Sequence, residues 1–316
     1  MTAVVRKTVW VAGSANLDFV VRASHVPAPG ETVLGREFST FPGGKGANQA
    51  VACARAGSVD TRMLLALGDD AFAAPIEASL ADAGVHLQVM RSDQPTGTAF
   101  ICLSDDAENA ITVAPGANSS LRGDELPALH DASHLLLQLE TPIDAVVAFA
   151  VAARESDVQV VLNAAPARAL PTELLRSLDV LIVNEGELAA ITGHRGSVVE
   201  CLALLDVPCV VVTLGARGCC ARQGTQTFLQ SGFKVQAVDT TAAGDTFCGA
   251  LVAALHRGEH LSVALRYASA ASALACTRLG AQSSIPQRAE VEALLHADDR
   301  HALGEDPALA AYCGLV

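Results

Sequence analysis

The chain has 316 residues, of which 51% are hydrophobic, 4% aromatic and 17% charged, and it carries a formal net charge of −13. That length can bury a large core as one domain or as one with a small appendage, and so few aromatics make the core aliphatic and alanine-rich. The acidic balance excludes nucleic acid and anionic membrane surfaces as partners, and no apolar run approaches the ~20 residues that span a bilayer.

The first apolar run, Val9–Ala12, reads as a buried strand, too short for a signal peptide, so a cytoplasmic location is expected. Gly13-Ser-Ala-Asn-Leu-Asp18 follows, where Asn16 and Asp18 are ligand groups at a strand end or a turn pair. Phe19 to Phe41 alternates apolar and polar residues around turns, as does Thr96 to Ala114, and both read as antiparallel strands inserted into the body. A small sheet with one apolar face cannot stand alone, so these segments (about 16–42 and 96–115) are expected to lie over the site or against a second subunit. Between them, Phe41-Pro-Gly-Gly-Lys-Gly-Ala-Asn-Gln49 opens a helix over Ala47–Ala56. It is neither a Walker A loop nor G-x-G-x-x-G. Gly43 and Gly44 permit close approach, Lys45 supplies a cation, and Asn48 donates and accepts, a set that suits a polyhydroxylated ligand better than a plain turn.

Met63–Leu67, Leu135–Leu139, Val158–Leu162, Val180–Val183 and Val210–Leu214 are the next predicted strands. They alternate with helical patterns over Asp70–Ala83, Pro142–Ala153, Glu185–Ile191, 245–256 and 261–277. This rhythm predicts an α/β fold, a doubly wound, mostly parallel sheet with helices on both faces and ligands at the strand C-termini. Glu140 stands at one such end. Asn184-Glu-Gly-Glu187 stands at another, where Asn184 and Glu187 either hold Mg²⁺ through water or cap the helix they begin. Thr213-Leu-Gly-Ala-Arg-Gly218 is a glycine-containing loop able to wrap a nucleotide. No role is assigned to the tail over 300–316. The nine cysteines contain no C-x-x-C and read as reduced core thiols, and the nine histidines read as structural or surface groups.

Val238-Asp-Thr-Thr-Ala-Ala-Gly-Asp-Thr-Phe247 carries the most chemistry. Ala242-Ala243-Gly244 has no side chain large enough to block amides pointing out of the following helix, and such amides hold a phosphate-like anion. Asp245, at the mouth of that site, is placed to take a proton from the group attacking the anion. The combination predicts phosphoryl transfer.

Taken in order, Gly13 to Asp18, Gly43 to Gln49, Gln138-Leu-Glu-Thr-Pro142, Asn163-Ala-Ala-Pro-Ala-Arg168, Asn184 to Glu187, Thr213 to Gly218 and Asp239 to Asp245 resemble the PfkB carbohydrate kinases. The Ala-Ala-Gly-Asp form is similar to the ribokinase branch of that family, and the resemblance covers about residues 9 to 295. It implies a ribokinase-like fold over the whole chain with an inserted β-sheet lid, and ATP-dependent phosphorylation of D-ribose at its 5-hydroxyl. It further implies that Asn16, Asp18, Gly44, Lys45, Asn48 and Glu140 hold the sugar and that Asp245 is the base. Ala243, Gly244 and Asp245 would then form the anion hole, and Asn184, Thr213, Gly215, Gly218 and Gly244 would line the ATP site. Ser269 stands where members often carry Asn or His near the adenine. Asp239, Thr241, Ala275, Arg278, Gly280 and Ser284 would hold potassium, with Asp239 buried and ionised beside it. A homodimer through the lid is implied as well. The alternatives are a kinase of the family acting on deoxyribose, another sugar or a nucleoside, and a sugar-binding protein without activity. A dehydrogenase would need the glycine fingerprint that the first strand lacks.

Overall fold

The structure, a computed structural model, describes residues 7–104, 109–297 and 306–315. Its strands, numbered in chain order, form a nine-stranded and a four-stranded sheet. The large sheet contains β1 (Thr8–Ala12), β4 (Thr61–Gly68), β5 (Val85–Ser92), β8 (Ala132–Leu137), β9 (Gln159–Asn163), β10 (Val180–Asn184), β11 (Cys209–Thr213), β12 (Gly218–Gln223) and β13 (Gln226–Ser231). Their order is β13-β12-β11-β10-β9-β8-β1-β4-β5. All pairs from β5 to β11 are parallel, and the β12–β13 hairpin completes one edge antiparallel.

Side chains alternate across this sheet because both faces are covered. Val9, Val11, Met63, Leu65 and Leu67 enter one core, which α1 (Lys45–Arg55), α2 (Ala73–Asp82), α7 (Ala243–His256), α8 (Leu261–Ala275) and α9 (Arg288–Ala297) cover. Trp10, Ala12, Leu64 and Ala66 enter the other, beneath α3 (Ile143–Glu155), α4 (Thr172–Ser177), α5 (Glu185–Thr192), α6 (Val198–Ala203) and α10 (Pro307–Cys313). Alanine lets the first layer pack tightly. Ala50, Ala250, Ala254, Ala264 and Ala268 are all fully buried there.

The small sheet contains β2 (Asn16–Arg22), β3 (Glu37–Gly43), β6 (Gly97–Leu103) and β7 (Asn109–Ala114) in the order β3-β2-β6-β7. The outer pairs are antiparallel as expected, but β2 and β6 run parallel. The cause lies in the large sheet: β2 continues from β1 and β6 follows β5, two strands that already point the same way.

Three further differences from the sequence reading have local reasons. Residues 70–72 stay outside α2 because Asp70 Oδ1 caps it, accepting the amides of Phe72 at 3.0 Å and Ala73 at 3.2 Å. α7 begins two residues earlier than its apolar pattern, since Ala243 and Gly244 carry no periodic side chain. The edge elements β5, β12 and β13 were not foreseen, because polar residues interrupt their apolar runs. Of the tail, residues 300–305 and 316 lie outside the described residues, whereas Pro307–Cys313 forms α10.

α1 and α7 meet at Gly249, where a Cβ would lie 2.5 Å from both Ala52 Cβ and the Gln49 carbonyl oxygen. The Gly249→Ala variant therefore has to push these helices apart. An expected loss of about 1–3 kcal/mol, the usual cost of overpacking, is read as a lower midpoint in denaturant unfolding.

Candidate active site

β1 neighbours β4 on one side and β8 on the other, so the strand order reverses at the β1/β8 boundary. An open parallel sheet leaves a crevice at the strand C-termini at such a point. Gly13, after β1, makes room for Gln138 after β8: a Cβ there would lie 1.9 Å from Gln138 Oε1. Next to it, Glu140 Oε2 accepts Ser14 Oγ at 2.6 Å and the Lys45 amide at 3.1 Å. Glu140 thus ties the loop after β8 to that after β1 and to the start of α1. Gly44 is held at φ +89°, where a Cβ would lie 2.7 Å from Ala15 Cα, so α1 begins directly against the first loop.

Asn16 and Asp18 lie on β2 as it leaves the large sheet, and both are buried. Asn16 Oδ1 accepts Asn118 Nδ2 at 2.8 Å, while Asn118 Oδ1 accepts the Ala15 amide at 2.9 Å. From the opposite side come Asn48 and Gln49, on the first turns of α1. Asn48 Nδ2 donates to Asp245 Oδ2 at 3.0 Å and Gln49 Nε2 to Asp245 Oδ1 at 2.9 Å. Gln49 also donates to Asn163 Oδ1 at 3.0 Å and accepts from Gln138 Nε2 at 2.7 Å. Both oxygens of Asp245 are therefore oriented by amides that are themselves fixed. Asn48 Oδ1 remains a buried acceptor without a partner among the described residues.

The electrostatics follow from crowding carboxylates around one ammonium. Burial raises the Asp245 carboxyl above its ordinary range, opposed by Lys45 and by the Asn48 and Gln49 bonds. Burial first, then repulsion from Glu140 and Asp245, pushes Asp18 up to about 7. Burial pulls Lys45 down, but Asp245, Glu140 and Glu187 outweigh it and hold the ammonium above its usual value.

α7 opens with Ala242 at φ +58°, a left-handed turn that aims the first helical amides outward. The Ala243 amide donates to the Thr240 carbonyl at 3.2 Å, which leaves those of Gly244 and Asp245 as the outward donors of the anion hole expected at Ala243–Asp245. Gly244 has nothing within 4 Å of where a Cβ would be and lines a cleft of about 440 Å³. Thr213, Gly215, Gly218 and Ser269 line it too, whereas Asn184 is not among its lining residues. Gly218, at φ +113°, lies so close to β13 that a Cβ would stand 1.9 Å from the Gln230 carbonyl oxygen. The lining residues Phe233, Ala273 and Cys276 escaped the sequence reading: residues 232–237 have no periodicity, and Ala273 and Cys276 read as helix interior.

The residues 6–288 match the family model described as pfkB family carbohydrate kinase. The chain belongs to that family. Among its relatives, the ribokinase of Haemophilus influenzae is 40% identical over 308 residues, spanning 92% of this chain and all of that protein. The ribokinase of Bacillus subtilis is 37% identical and spans 92% of this chain and 99% of its own. The crystal structure of ribokinase from Thermotoga maritima superposes with a TM-score of 0.85 at 36% identity, covering 92% of this chain and 99% of that one. The structure of Arabidopsis thaliana ribokinase complexed with ribose and ATP gives 0.83 at 35%, covering 92% and 98%. The carbohydrate kinase therefore has the ribokinase-like fold expected of it.

Two sets of residues in this kinase were assigned to metals. Asn184 Oδ1 accepts the Glu187 amide and Glu187 Oε2 accepts the Asn184 amide, both at 2.8 Å, so the pair is a capping box of α5. Glu187 keeps Oε1 beyond that bond, an oxygen donor of the kind Mg²⁺ takes directly or through water, while burial raises its carboxyl despite the Asn184 amide and Lys45. Asp239 is half-buried rather than buried, because Val238, Thr240 and Thr241 around it are exposed. Its Oδ1 accepts the Thr241 amide and its Oδ2 the Gly280 amide, each at 2.9 Å, joining the two loops that carry the potassium set. Carbonyls, one carboxylate and the Thr241 hydroxyl are hard oxygen donors, which fits a monovalent cation. The Ser284 hydroxyl, however, turns back to the Ala281 carbonyl at 2.8 Å.

Gln49, Gln138 and Asn163 were missed as site residues although the seven ordered runs contain them; nothing in the sequence points to Asn118. Burial raises the Cys53 and Cys219 thiols to about 12, in keeping with inert core cysteines. Among the described residues no helix is long and apolar enough to cross a membrane.

Asp18 carries a stability cost for its function. A carboxyl raised in the fold from 3.8 to about 7 weakens folding fully above the higher value, where both states are ionised, and not at all below the lower one. Asp18→Asn is expected to melt later than the parent at about pH 8, with the gain shrinking as pH falls from neutrality towards 4. Thermal scans across that range check it.

Proposed function

We propose that this kinase transfers the γ-phosphoryl group of ATP to the 5-hydroxyl of D-ribose, giving D-ribose 5-phosphate and ADP in the cytoplasm. One observation carries the reading: the buried Asp245 carboxylate sits between a polar pocket and the outward amides of the same helix start, which open on the 440 Å³ cleft. The relative seen with ribose and ATP supports the choice of both substrates.

The sugar lies in the pocket of Asn16, Asp18, Gly44, Lys45, Asn48 and Glu140, and its hydroxyls donate to the Asp18 carboxylate. Asp245 accepts the proton of the 5-hydroxyl as that oxygen bonds to the γ-phosphorus and the bond to the β-phosphate bridging oxygen breaks. Burial raises the carboxyl of Asp245, which strengthens it as a base, and Asn48 and Gln49 keep both its oxygens in register. The Gly244 and Asp245 amides and the Lys45 ammonium stabilise charge on the transferring group. ATP lies along Thr213, Gly215, Gly218 and Ser269. Asn184 and Glu187 would hold Mg²⁺ through water, which would add charge neutralisation, and the loops joined by Asp239 would hold a potassium ion that would steady the anion hole.

The test couples ADP release to D-ribose. The parent enzyme should turn over D-ribose faster than deoxyribose or nucleosides, and Asp245→Asn should lose about 10²–10⁴-fold in kcat, the usual worth of a positioned base, while still folding. Near-parental turnover by that variant would remove Asp245 from the mechanism.

The small sheet acts as the lid of this site, because Asn16 and Asp18 belong to both. The face that carries Asp18 also carries Ile101, Ile111 and Val113, and Ile111 is 55% exposed. Phe38 and Phe100 lie exposed on the other face, stacked on Phe19. Apolar exposure concentrated on one small sheet marks a contact surface, and a second copy of this chain is its partner. Sedimentation velocity should find a dimer for the parent and a monomer for Ile111→Asp. A parent that sediments as a monomer at assay concentrations would refute the lid dimer.

A further inference from the structure

The helix α10 lies beyond residues 6–288 matched to the family, yet it docks beside the nucleotide cleft. Leu309 and Cys313 are buried in the core beneath α5 and α6. Asp306 caps the helix through the amides of Ala308 and Leu309, both at 3.0 Å, and accepts Ser231 Oγ at 2.7 Å. At the other end Gly314 approaches Ser197 so closely that a Cβ would lie 2.5 Å from the serine Cβ. The helix is therefore anchored along its whole length.

So anchored, it presents Tyr312 to two loops at once. Arg217 Nη2 donates to the Tyr312 hydroxyl at 2.7 Å, with its guanidinium 4.0 Å above the ring. The same hydroxyl donates to Glu185 Oε1 in a short bond. Arg217 closes the turn Gly215–Arg217 after β11, whose Gly215 and Ala216 line the cleft. Glu185 begins α5 directly after Asn184, at the end of β10. An exposed Arg–Glu pair alone is worth little, but a phenol that takes a charge-assisted bond from each side and stacks under the cation fixes their separation.

We propose that Tyr312 is a positioning residue for the nucleotide, a strap that holds the cleft-lining turn Gly215–Arg217 to the start of α5 and so sets the shape of the ATP side of the cleft. The inference rests on the cleft's being the ATP site. It predicts a change confined to nucleotide affinity, since none of the sugar contacts lies on these loops.

Steady-state kinetics of Tyr312→Ala and Tyr312→Phe, each substrate varied in turn, test the strap. Tyr312→Ala should raise the KM for ATP about three- to tenfold, the worth of one or two such bonds, with kcat and the sugar KM within about twofold. Tyr312→Phe, which keeps the stack, should fall between. Calorimetric titration with ADP should show the same weakening, and it needs no turnover. An ADP affinity equal to the parent's in a folded Tyr312→Ala, or parallel losses in kcat, sugar KM and melting temperature, would overturn the strap. A parent that phosphorylates no pentose yet binds ADP more tightly than the variants would overturn the ribose reading and leave the strap standing.

Discussion

The contact on which the rest depends is that between α1 and α7, where two amide side chains hold a buried carboxylate. Asp245 is the third residue of α7, and Asn48 and Gln49 are the fourth and fifth of α1. The helices come close enough for these bonds only because position 249 is a glycine and the facing positions 52 and 53 are alanine and cysteine. A carboxylate buried without partners would cost several kcal/mol and would simply protonate. Two neutral amides reduce that cost without neutralising the charge, which a base requires. Small residues in the helix interface and a polar network at its end are thus one design.

That design also explains why polar residues collect at one end of the molecule. The parallel strands β1, β8, β9, β10 and β11 all end there, and each delivers a polar residue on leaving the sheet: Ser14, Gln138, Asn163, Asn184 and Thr213. Apolar residues fill the strands themselves, so the hydrophobic core stops where the chemistry begins. Asp18, Glu140, Glu187 and Asp245 surround the one ammonium of Lys45. With burial, the resulting excess of negative charge holds the Asp18 carboxyl up at about 7.

The fold class was legible because strand cores such as Val210–Val212 are continuous apolar runs, and the helix Ala47–Ala56 has a clean apolar face ended by Gly57. The uncovered helix start at Ala243-Gly244-Asp245 was legible because Ala242-Ala243-Gly244 carries no side chain to cover its amides. Boundaries were less so: Asp70 turned out to be a cap, and Ala243 and Gly244 have no periodic side chain to mark them as helical. Hidden altogether were contacts made at long sequence separation. Asn118 reaches Asn16 across 102 residues, and Gln49 reaches Asp245 across 196. No spacing rule connects such positions. The parallel direction of β2 and β6 was likewise invisible, since it is inherited from β1 and β5.

The nucleotide cleft is built on a different principle from the sugar pocket. Much of its wall is backbone and small side chains, among them Gly215, Ala216, Gly218, Gly232, Gly244 and Ala273, with Thr213, Phe233, Lys234 and Ser269 set between them. Such a wall takes its shape from where its loops are held, not from what they carry. The turn Gly215–Arg217 leaves β11 after one residue, and α5 begins directly after β10. A cross-link between them sets the distance between separate segments, as Glu140 does in the polar pocket. Glu140 does so from the interior with a carboxylate shared by Ser14 and Lys45, and α10 does so from the surface with a phenol shared by Arg217 and Glu185.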